Sequence, residues 1–392
     1  MEKITLLVAI FSVSFMTFGQ NSIVGLSRSG ENSEIYLASI NASTGAVNDI
    51  SQNSTSDNIQ NLSFAVNPDN DIYYYVSSSK FISVDTNTGQ VVSQPTISTP
   101  TSERFVKFKY DEVTQEIYGL ETGNNGVYLS KINPQNGDVT TISNTSIADF
   151  ISFNGGTTLD MANQLFYFVS EGKLISVDLV TGQIVNDPMI ETTEVSYFDN
   201  IVYNAFDSNL YGIGRNASPA ETLLGKIDPV TGDVIVISQT SLGDVFNLSG
   251  AMIDPFSNIY HYMKNNEFMG VKIDTGAEVS SPNLDFTNSN GEYFEHFYFG
   301  IKTESLLSNK NNTDSIKFEI FPNPTHNFIN ISSQSITQIT LFDLTGKQVF
   351  SEKTNNNPDE FKLDMTSYKN GIYLLKVENS SDESHVSKFI KK

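Results

Sequence analysis

The sequence predicts an all-β protein: a six-bladed β-propeller closed by one C-terminal and three N-terminal strands, followed by a small β-sandwich. Three observations carry this. A turn signature recurs six times through the middle of the chain, each copy within a period of four short strands. Aromatic-rich strands lead into the copies, and helical periodicity is absent, which excludes a helical solenoid. A second set of strand patterns, without the repeat, fills the C-terminal part.

The signature is an apolar residue, Asp or Asn, a short polar stretch, Gly, then an apolar strand. It occurs as Ile40-Asn41-Ala42-Ser43-Thr44-Gly45, Val84-Asp85-Thr86-Asn87-Thr88-Gly89 and Ile132-Asn133-Pro134-Gln135-Asn136-Gly137. It recurs as Val177-Asp178-Leu179-Val180-Thr181-Gly182, Ile227-Asp228-Pro229-Val230-Thr231-Gly232 and the shortened Ile273-Asp274-Thr275-Gly276. Successive glycines are 44, 48, 45, 50 and 44 residues apart. Asp or Asn bonds the backbone two residues on, Pro134 and Pro229 fix φ, and Gly takes a left-handed conformation, so the motif is a hairpin turn.

A polar turn and an aromatic strand come before the later copies: Asp71-Ile72-Tyr73-Tyr74-Tyr75, Glu116-Ile117-Tyr118, Gln164-Leu165-Phe166-Tyr167-Phe168, Asn209-Leu210-Tyr211 and Asn258-Ile259-Tyr260. In the second copy the strands are expected near 59–67, 72–77, 80–85 and 90–94, the content of one propeller blade. The first copy starts at Ile23 and has room for only three strands before about Ile50. After the sixth copy one strand remains, Glu292 to Ile301. One plus three makes a blade, and that pairing removes the open edges. An open β-solenoid is the alternative, though its turns are usually shorter.

The N-terminus has Met1-Glu2-Lys3, an apolar run from Ile4 to Phe18, then Gly19 and Gln20. This is the form of a signal peptide over residues 1–19, cut near Gly19 and Gln20. The run is shorter than the roughly 18–20 apolar residues of a permanent span, and no later segment approaches that length, so no transmembrane segment is expected. There is no cysteine, so neither a disulfide nor a thiolate site is possible. Net charge is −22, all of it between Gln20 and Ser315, because the N-terminal segment and the C-terminal part each balance to zero. Such a surface repels phosphate backbones, and nucleic-acid binding is not expected.

Residues 303–315 have the polar composition of a linker, after the propeller at 20–302. From 316 to 392, seven strand patterns fit a small sandwich: Phe318–Phe321, Phe328–Ser332, Gln338–Phe342, Lys347–Lys353, Glu360–Asp364, Gly371–Glu378 and His385–Ile390. The segments Phe321-Pro322-Asn323-Pro324, Leu341-Phe342-Asp343-Leu344-Thr345-Gly346-Lys347, Gly371-Ile372-Tyr373-Leu374-Leu375-Lys376-Val377 and Lys388-Phe389-Ile390-Lys391-Lys392 stand in that order. Together they resemble the type A sorting domain of the type IX secretion system. The resemblance implies an Ig-like fold, a bacterium of the Bacteroidetes group, and entry to the periplasm by a signal peptide. It further implies passage through the outer-membrane translocon, removal of the domain by a sorting peptidase, and a cargo released or held at the cell surface. The residues agree: Pro322 and Pro324 limit edge pairing, Asp343 and Gly346 make a turn, and Gly371 opens a buried strand with Tyr373.

Chemistry is sparse in the propeller. His261 and His296 are its only histidines, expected on neighbouring strands, where a shared metal is conceivable but a third ligand is missing. Asp85 to Gly89 superficially fits a calcium loop, but the twelfth position is Thr96 rather than Glu, so a structural turn is expected. Loops entering the innermost strands carry Glu191, Glu194, Asp199, Asp244, Glu292 and Glu295 beside Tyr197, Phe198, Phe246, Tyr293 and Phe294, where an acid pair for glycoside cleavage could hide. No catalytic or metal residue is assigned and no cofactor is expected, calcium remaining possible. The first functional reading is a noncatalytic module for an unknown extracellular ligand. The second is a hydrolase or lactonase-like enzyme with calcium in the central channel, and a third, less specific, is a structural surface-layer protein.

Overall fold

The computed structural model describes residues 23–299 and 319–392, apart from 31–32, 43, 57–62, 101–103, 152–155, 191–196, 206, 218–219, 239, 244–249, 255–257, 265–266, 280–281, 334, 344–347, 355 and 381–383. The expected cleavage region at Gly19 and Gln20, the linker 303–315, and Gly346 and Lys347 lie outside the described residues. All described secondary structure is strand or turn. No helix among the described residues is long and apolar enough to cross a membrane.

Residues 23–299 form six sheets, here numbered I to VI, antiparallel apart from one outer strand of sheet I, in which each chain segment adds strands outward. Sheet II runs Phe64–Asn67, Ile72–Ser77, Lys80–Asp85, Val91–Ser93, and sheet III runs Arg104–Asp111, Glu116–Gly123, Gly126–Ile132, Val139–Thr141. Sheet IV runs Thr157–Asp160, Leu165–Ser170, Lys173–Asp178, Ile184–Asn186. Sheet V runs Tyr197–Asn204, Asn209–Ala217, Ala220–Ile227, Val234–Val236, and sheet VI runs Ala251–Asp254, Ile259–Lys264, Glu267–Lys272, Glu278–Val279. Sheet I joins both ends of the region: Tyr293–Phe299 pairs antiparallel with Ile23–Arg28, followed outward by Ile35–Ile40 and Ala46–Asp49. The expected one-plus-three pairing is therefore present. Sequence reasoning did not foresee a fifth strand in sheet I, Asp285–Asn288, which lies parallel to Ala46–Asp49 on its outer side.

Each sheet packs against the next through its own apolar cluster, because both faces of the middle strands are buried. Leu26, Leu37, Tyr75 and Val84 join sheets I and II, Phe81 and Phe108 join II and III, and Leu129 and Phe168 join III and IV. Leu174 and Ile201 join IV and V, Leu224 and Tyr262 join V and VI, and Phe268 and Phe297 join VI and I. The arrangement is thus propeller-like, with sheets packed in series and the last returning to the first. The innermost strands face its centre.

The six sheets alternate between two kinds. Innermost strands are eight residues long in III and V but four in II, IV and VI. That difference explains the glycine spacings, which lengthen to 48 and 50 on the way to Gly137 and Gly232. In the odd sheets the last outer strand runs into Ile50-Ser51, Ile142-Ser143 and Ile237-Ser238, and each serine Oγ accepts the N–H of Leu37, Leu129 or Leu224 at 2.6, 3.0 and 2.9 Å. The even sheets instead end in Pro95-Thr96, Pro188-Met189 and Pro282-Asn283. The repeating unit is a pair of sheets, present three times.

The turn glycines seal these seams. All six have φ between 67° and 79°. Those of the odd sheets lie on the preceding even sheet: a Cβ at Gly45, Gly137 or Gly232 would stand 2.1, 2.2 or 2.1 Å from the carbonyl oxygen of Asn283, Thr96 or Met189. Gly232→Ala is therefore expected to cost about 1–2 kcal/mol for the left-handed conformation and about 1–3 kcal/mol for overpacking. Urea unfolding would measure it, and a loss below about 0.5 kcal/mol, the usual effect of a surface substitution, would show that the seam relaxes freely.

The C-terminal region, described on its own, has two sheets. One holds Glu319–Phe321, Phe328–Ser332 and Glu360–Asp364, the other Gln348–Lys353, Ile336–Asp343, Gly371–Asn379 and Ser384–Lys391. Alternating residues Ile329, Ile331, Ile339, Leu341, Leu375 and Phe389 fill the space between them. All seven expected strands are present, shifted by at most two residues at an end.

Candidate functional site

Three innermost strands carry a bulge, those of sheets I, III and V. Pairing slips between Val106 and Lys109, between Asp199 and Val202, and in Tyr293–Phe299 opposite Val24 and Leu26. The residues Lys107, Asn200 and His296 take φ of 55°, 51° and 56°. A bulge of this kind bends the strand and re-aims one side chain. Since odd and even sheets alternate, the bulges occupy every second place around the ring.

Glycines behind the bulges receive a phenylalanine from two residues before each. A Cβ at Gly25 would meet Phe294 Cζ at 2.7 Å and one at Gly119 would meet Phe105 Cζ at 2.6 Å, both on the next strand, whereas Phe198 lies over Gly225 one strand further out, its Cε1 2.6 Å from such a Cβ. The following even sheet caps the bulge carbonyl. The Tyr73 hydroxyl donates to His296 O, Tyr260 to Asn200 O at 2.6 Å, and Thr157 Oγ1 to Lys107 O at 3.2 Å. Sheet IV has Phe166 in the place of those tyrosines and no hydroxyl there, which is why a threonine serves. From the other side, Ser63 Oγ accepts the Lys107 N–H at 2.6 Å, while Gly156 lets sheet IV approach the backbone of Asn200 and Ile201 closely.

Among the described residues, the charges gathered here are opposite in sign to the protein as a whole. Asp199 faces Arg215 Nε at 3.3 Å, and Glu295 faces Arg28 Nε at 3.4 Å. Burial raises Asp199 to about 6 against the opposing pull of Arg215 and Lys107, and burial likewise raises Glu295 against Arg28. Sheet III has neither acid nor arginine at these places, only Val106 and Thr122, and supplies Lys107 and Lys109 instead. Lys109 Nζ lies 4.5 Å from the Phe64 ring centroid, and Phe64 in turn packs on His296 at 6.0 Å and Tyr73 at 5.8 Å. Both lysines keep some accessible surface, yet loss of hydration lowers each ammonium to about 8, as expected for groups enclosed around an internal opening. His296 is lowered to about 3 by burial and by the charges of Lys107, Lys109 and Arg28. Asn200 Nδ2 and His296 Nε2 are buried without a hydrogen-bond partner.

Of the acids expected in the loops, Asp199 and Glu295 are thus brought to the ring centre but held by arginines. Glu292 is exposed, and Glu191, Glu194 and Asp244 lie outside the described residues. His261 and His296 sit on neighbouring sheets, but His261 stacks on Phe268 at 4.9 Å and its Nδ1 lies 3.3 Å from Met269 O, whereas His296 packs on Phe64. Among the described residues no three His, Asp or Glu are placed to share an ion. Asp85 Oδ1 accepts the N–H groups of Asn87 and Thr88 at 2.9 and 2.8 Å, a closed turn. Sequence reasoning missed Lys107, Lys109 and Asn200. The signal was present: Phe105-Val106-Lys107-Phe108, Phe198-Asp199-Asn200-Ile201 and Phe294-Glu295-His296-Phe297 repeat at separations of 93 and 96 residues.

In the C-terminal region the first and last motifs meet. Asn323 Oδ1 accepts the Ile390 N–H at 2.9 Å, Thr325 N–H donates to Ile390 O at 2.7 Å, and Lys392 N–H donates to Thr325 O at 2.8 Å. Pro322 and Pro324 flank that contact. Lys391 Nζ donates to Asn370 Oδ1 at 3.2 Å beside Gly371, and the Tyr373 hydroxyl donates to Lys369 O at 2.8 Å. Asp343 ends its strand opposite Tyr373, and Lys388 pairs with Leu374.

Residues 319–392 match the family model described as a secretion system C-terminal sorting domain. This stretch is a type IX C-terminal sorting domain, so the protein engages the type IX secretion machinery and is secreted or displayed at the cell surface. A comparison with curated proteins finds no match. Among solved structures, TolB from Acinetobacter baumannii is similar at 14% identity and a TM-score of 0.48 over 68% of this chain and 64% of that one, under two thirds of its length. A protein of unknown function from Bacteroides caccae is similar at 10% identity and a TM-score of 0.47, over 71% of this chain and 98% of that one. A nidogen/laminin complex gives 11% identity and a TM-score of 0.42, over 74% and 96%.

Proposed function

We propose that the protein is a type IX cargo with a signal peptide at 1–19, a six-bladed propeller at 20–302, a linker at 303–315 and an Ig-like sorting domain at 316–392. It crosses the inner membrane to the periplasm of a Bacteroidetes cell and leaves through the outer-membrane translocon. A sorting peptidase then removes the domain. Outside, the propeller acts as a noncatalytic binding module with its ligand at the ring centre. One observation carries this reading: the two buried carboxylates at the centre each face an arginine, Asp199 with Arg215 and Glu295 with Arg28, and the bulge carbonyls are capped by hydroxyls. A hydrolase or a calcium-dependent lactonase would instead turn such oxygens to substrate or metal, as base, nucleophile or ligands.

Deleting residues 316–392 is expected to leave a folded propeller in the periplasm and to reduce the extracellular protein at least tenfold on immunoblots of cell fractions. Normal extracellular levels of the truncated protein would overturn the export route. Purified mature protein is expected to carry less than a stoichiometric amount of calcium by elemental analysis and to leave oligosaccharide and lactone panels unhydrolysed. A stoichiometric ion whose removal abolishes hydrolysis would establish the enzyme instead.

A further inference from the structure

We propose that the outer face of the three-stranded sheet in the sorting domain, centred on Phe321 and Phe328, docks into an apolar recess of the type IX secretion machinery. The inference rests on the sorting-domain assignment and adds which face is read.

The strands of this sheet alternate between core and solvent. Ile320, Ile329, Ile331, Phe361 and Leu363 pack into the space between the two sheets, so Phe321, Phe328, Asn330 and Lys362 lie on the other side. There Phe321 stands opposite Asn330, and Asn330 opposite Lys362. Phe328 comes two positions before Asn330, which makes the two phenylalanines diagonal neighbours, about 7–8 Å apart. Phe321 is 50% exposed and Phe328 40%, and no other large apolar side chain is as exposed among the described residues of this region. Lys362 Nζ lies 4.1 Å from the Phe328 ring centroid.

Folding does not ask for these two rings in water. A domain this small has little apolar surface to spare, and it keeps Ile329, Leu341 and Phe389 fully buried. Strand propensity at a solvated position is met equally by threonine. One exposed apolar residue is ordinary, but two aromatic rings on neighbouring strands of one face form a patch of the kind that marks an interaction site. Aromatic side chains are also the commonest anchors of protein interfaces. On the outward side of the other sheet, Leu374 and Ile390 are each only 8% exposed.

The occupant follows from the motif that supplies Phe321. The match to the sorting-domain family begins at residue 319, and the motif Phe321-Pro322-Asn323-Pro324 opens it. Asn323 and the adjacent Thr325 are committed to the last strand through Ile390 and Lys392. Phe321 instead leaves half its surface in water. Side chains rather than backbone make the contact, because the edge strand Glu319–Phe321 has three residues and is closed by Pro322, features that keep an edge from pairing. Glu360 and Asp364 flank Lys362, so the face lacks the net positive charge that an anionic lipid surface would attract. A polypeptide recess suits it.

Immunoblots of cell fractions, with the full chain produced in the exporting cell, test this. Phe321→Thr and Phe328→Thr keep a strand-forming residue and remove the ring. Each should lower extracellular protein about threefold or more, and the double variant about tenfold or more, as for truncated anchor residues. Phe321→Tyr and Phe328→Tyr keep the ring and should be exported normally, as should Lys353→Gln, exposed on the edge of the other sheet. The purified full-length variants should melt as the wild type does. If a threonine variant melts lower, Lys362→Glu, which sets a carboxylate beside Phe328 without touching the core, should still reduce export. Loss of export confined to variants that melt lower, with Lys362→Glu exported normally, would overturn the proposal. So would normal export of the double threonine variant while deletion of residues 316–392 abolishes export, a result that leaves the sorting assignment standing. Export undiminished by that deletion would overturn the assignment itself. A dimer of the purified chain on size-exclusion chromatography, dissolved by the double variant, would give the face to a second copy and overturn the proposal.

Discussion

A chain ending at Gly291 is expected to aggregate or melt far below one ending at Thr303, although both lack the sorting domain. The dozen residues between the two cuts contain Tyr293–Phe299, whose pairing with Ile23–Arg28 completes sheet I. Without it the backbone N–H and C=O groups of Ile23–Arg28 become an open edge, which invites pairing with other chains. The cut also removes Phe294 and Phe297, both at most 1% exposed, from the packing of sheet VI on sheet I. Buried Phe→Ala replacements cost about 3–5 kcal/mol each, and a whole domain is typically stable by about 5–15 kcal/mol. The loss is therefore comparable with the entire stability of the ring. It falls on sheet I, at its seam with VI through Phe294 and Phe297 and at its seam with II through His296, while the other four seams stay intact, so partial structure that self-associates is the expected product. Thermal melts and size-exclusion chromatography measure both effects. Equal melting temperatures and equal monomer content would mean that the last strand is merely appended.

His296 should make the ring acid-sensitive, and the sign follows from its lowered pKa. A histidine held neutral in the fold, at about 3 against 6.5 when unfolded, contributes stability that is fully present above pH 6.5 and is lost as pH falls toward 3. The shift corresponds to about 5 kcal/mol at most, at about 1.4 kcal/mol per pH unit. Asp199 works in the opposite direction. Raised to about 6, its carboxyl favours the fold when protonated, so its contribution grows as pH falls from 6 to about 4. The two nearly cancel in that window, and the wild-type stability should be flat there before dropping between pH 4 and 3. His296→Asn separates them while keeping a residue that tolerates the left-handed backbone. Urea unfolding at a series of pH values should show the variant gaining on the wild type by about 1.4 kcal/mol per unit from pH 6.5 downward. A difference independent of pH would mean that folding leaves the His296 pKa at its unfolded value.

Both results depend on residues whose importance is unevenly visible in the sequence. The strand after Glu292 is legible as an unpaired remainder, because the count of strands per period is fixed by turn chemistry alone. His296 is legible only as a histidine near the closing strand, and its expected companion His261 stacks on Phe268 instead. Lys107 and Asn200 carry no signal that a single period reveals. A lone Lys or Asn in a strand has no periodic partner within its own period; its meaning emerges only when every second period is compared.

What the sequence by itself determined is therefore local and repetitive: the six turns, the alternating strands between them, the closing strand, and the sorting domain with its ordered motifs. These follow from φ preferences of Gly, Asp, Asn and Pro and from alternation of apolar residues, interactions that reach only a few positions along the chain. The tertiary structure alone decided that sheets alternate in kind, that three bulges converge, and that Asp199 and Glu295 face arginines while Asn200 Nδ2 and His296 Nε2 are buried without a hydrogen-bond partner. Those outcomes depend on which strands share an axis, and residues about 95 positions apart become neighbours only when the last strand returns to the first. Charge and hydrogen bonding at the centre are sums over three separate sheets, so no single stretch of sequence contains them.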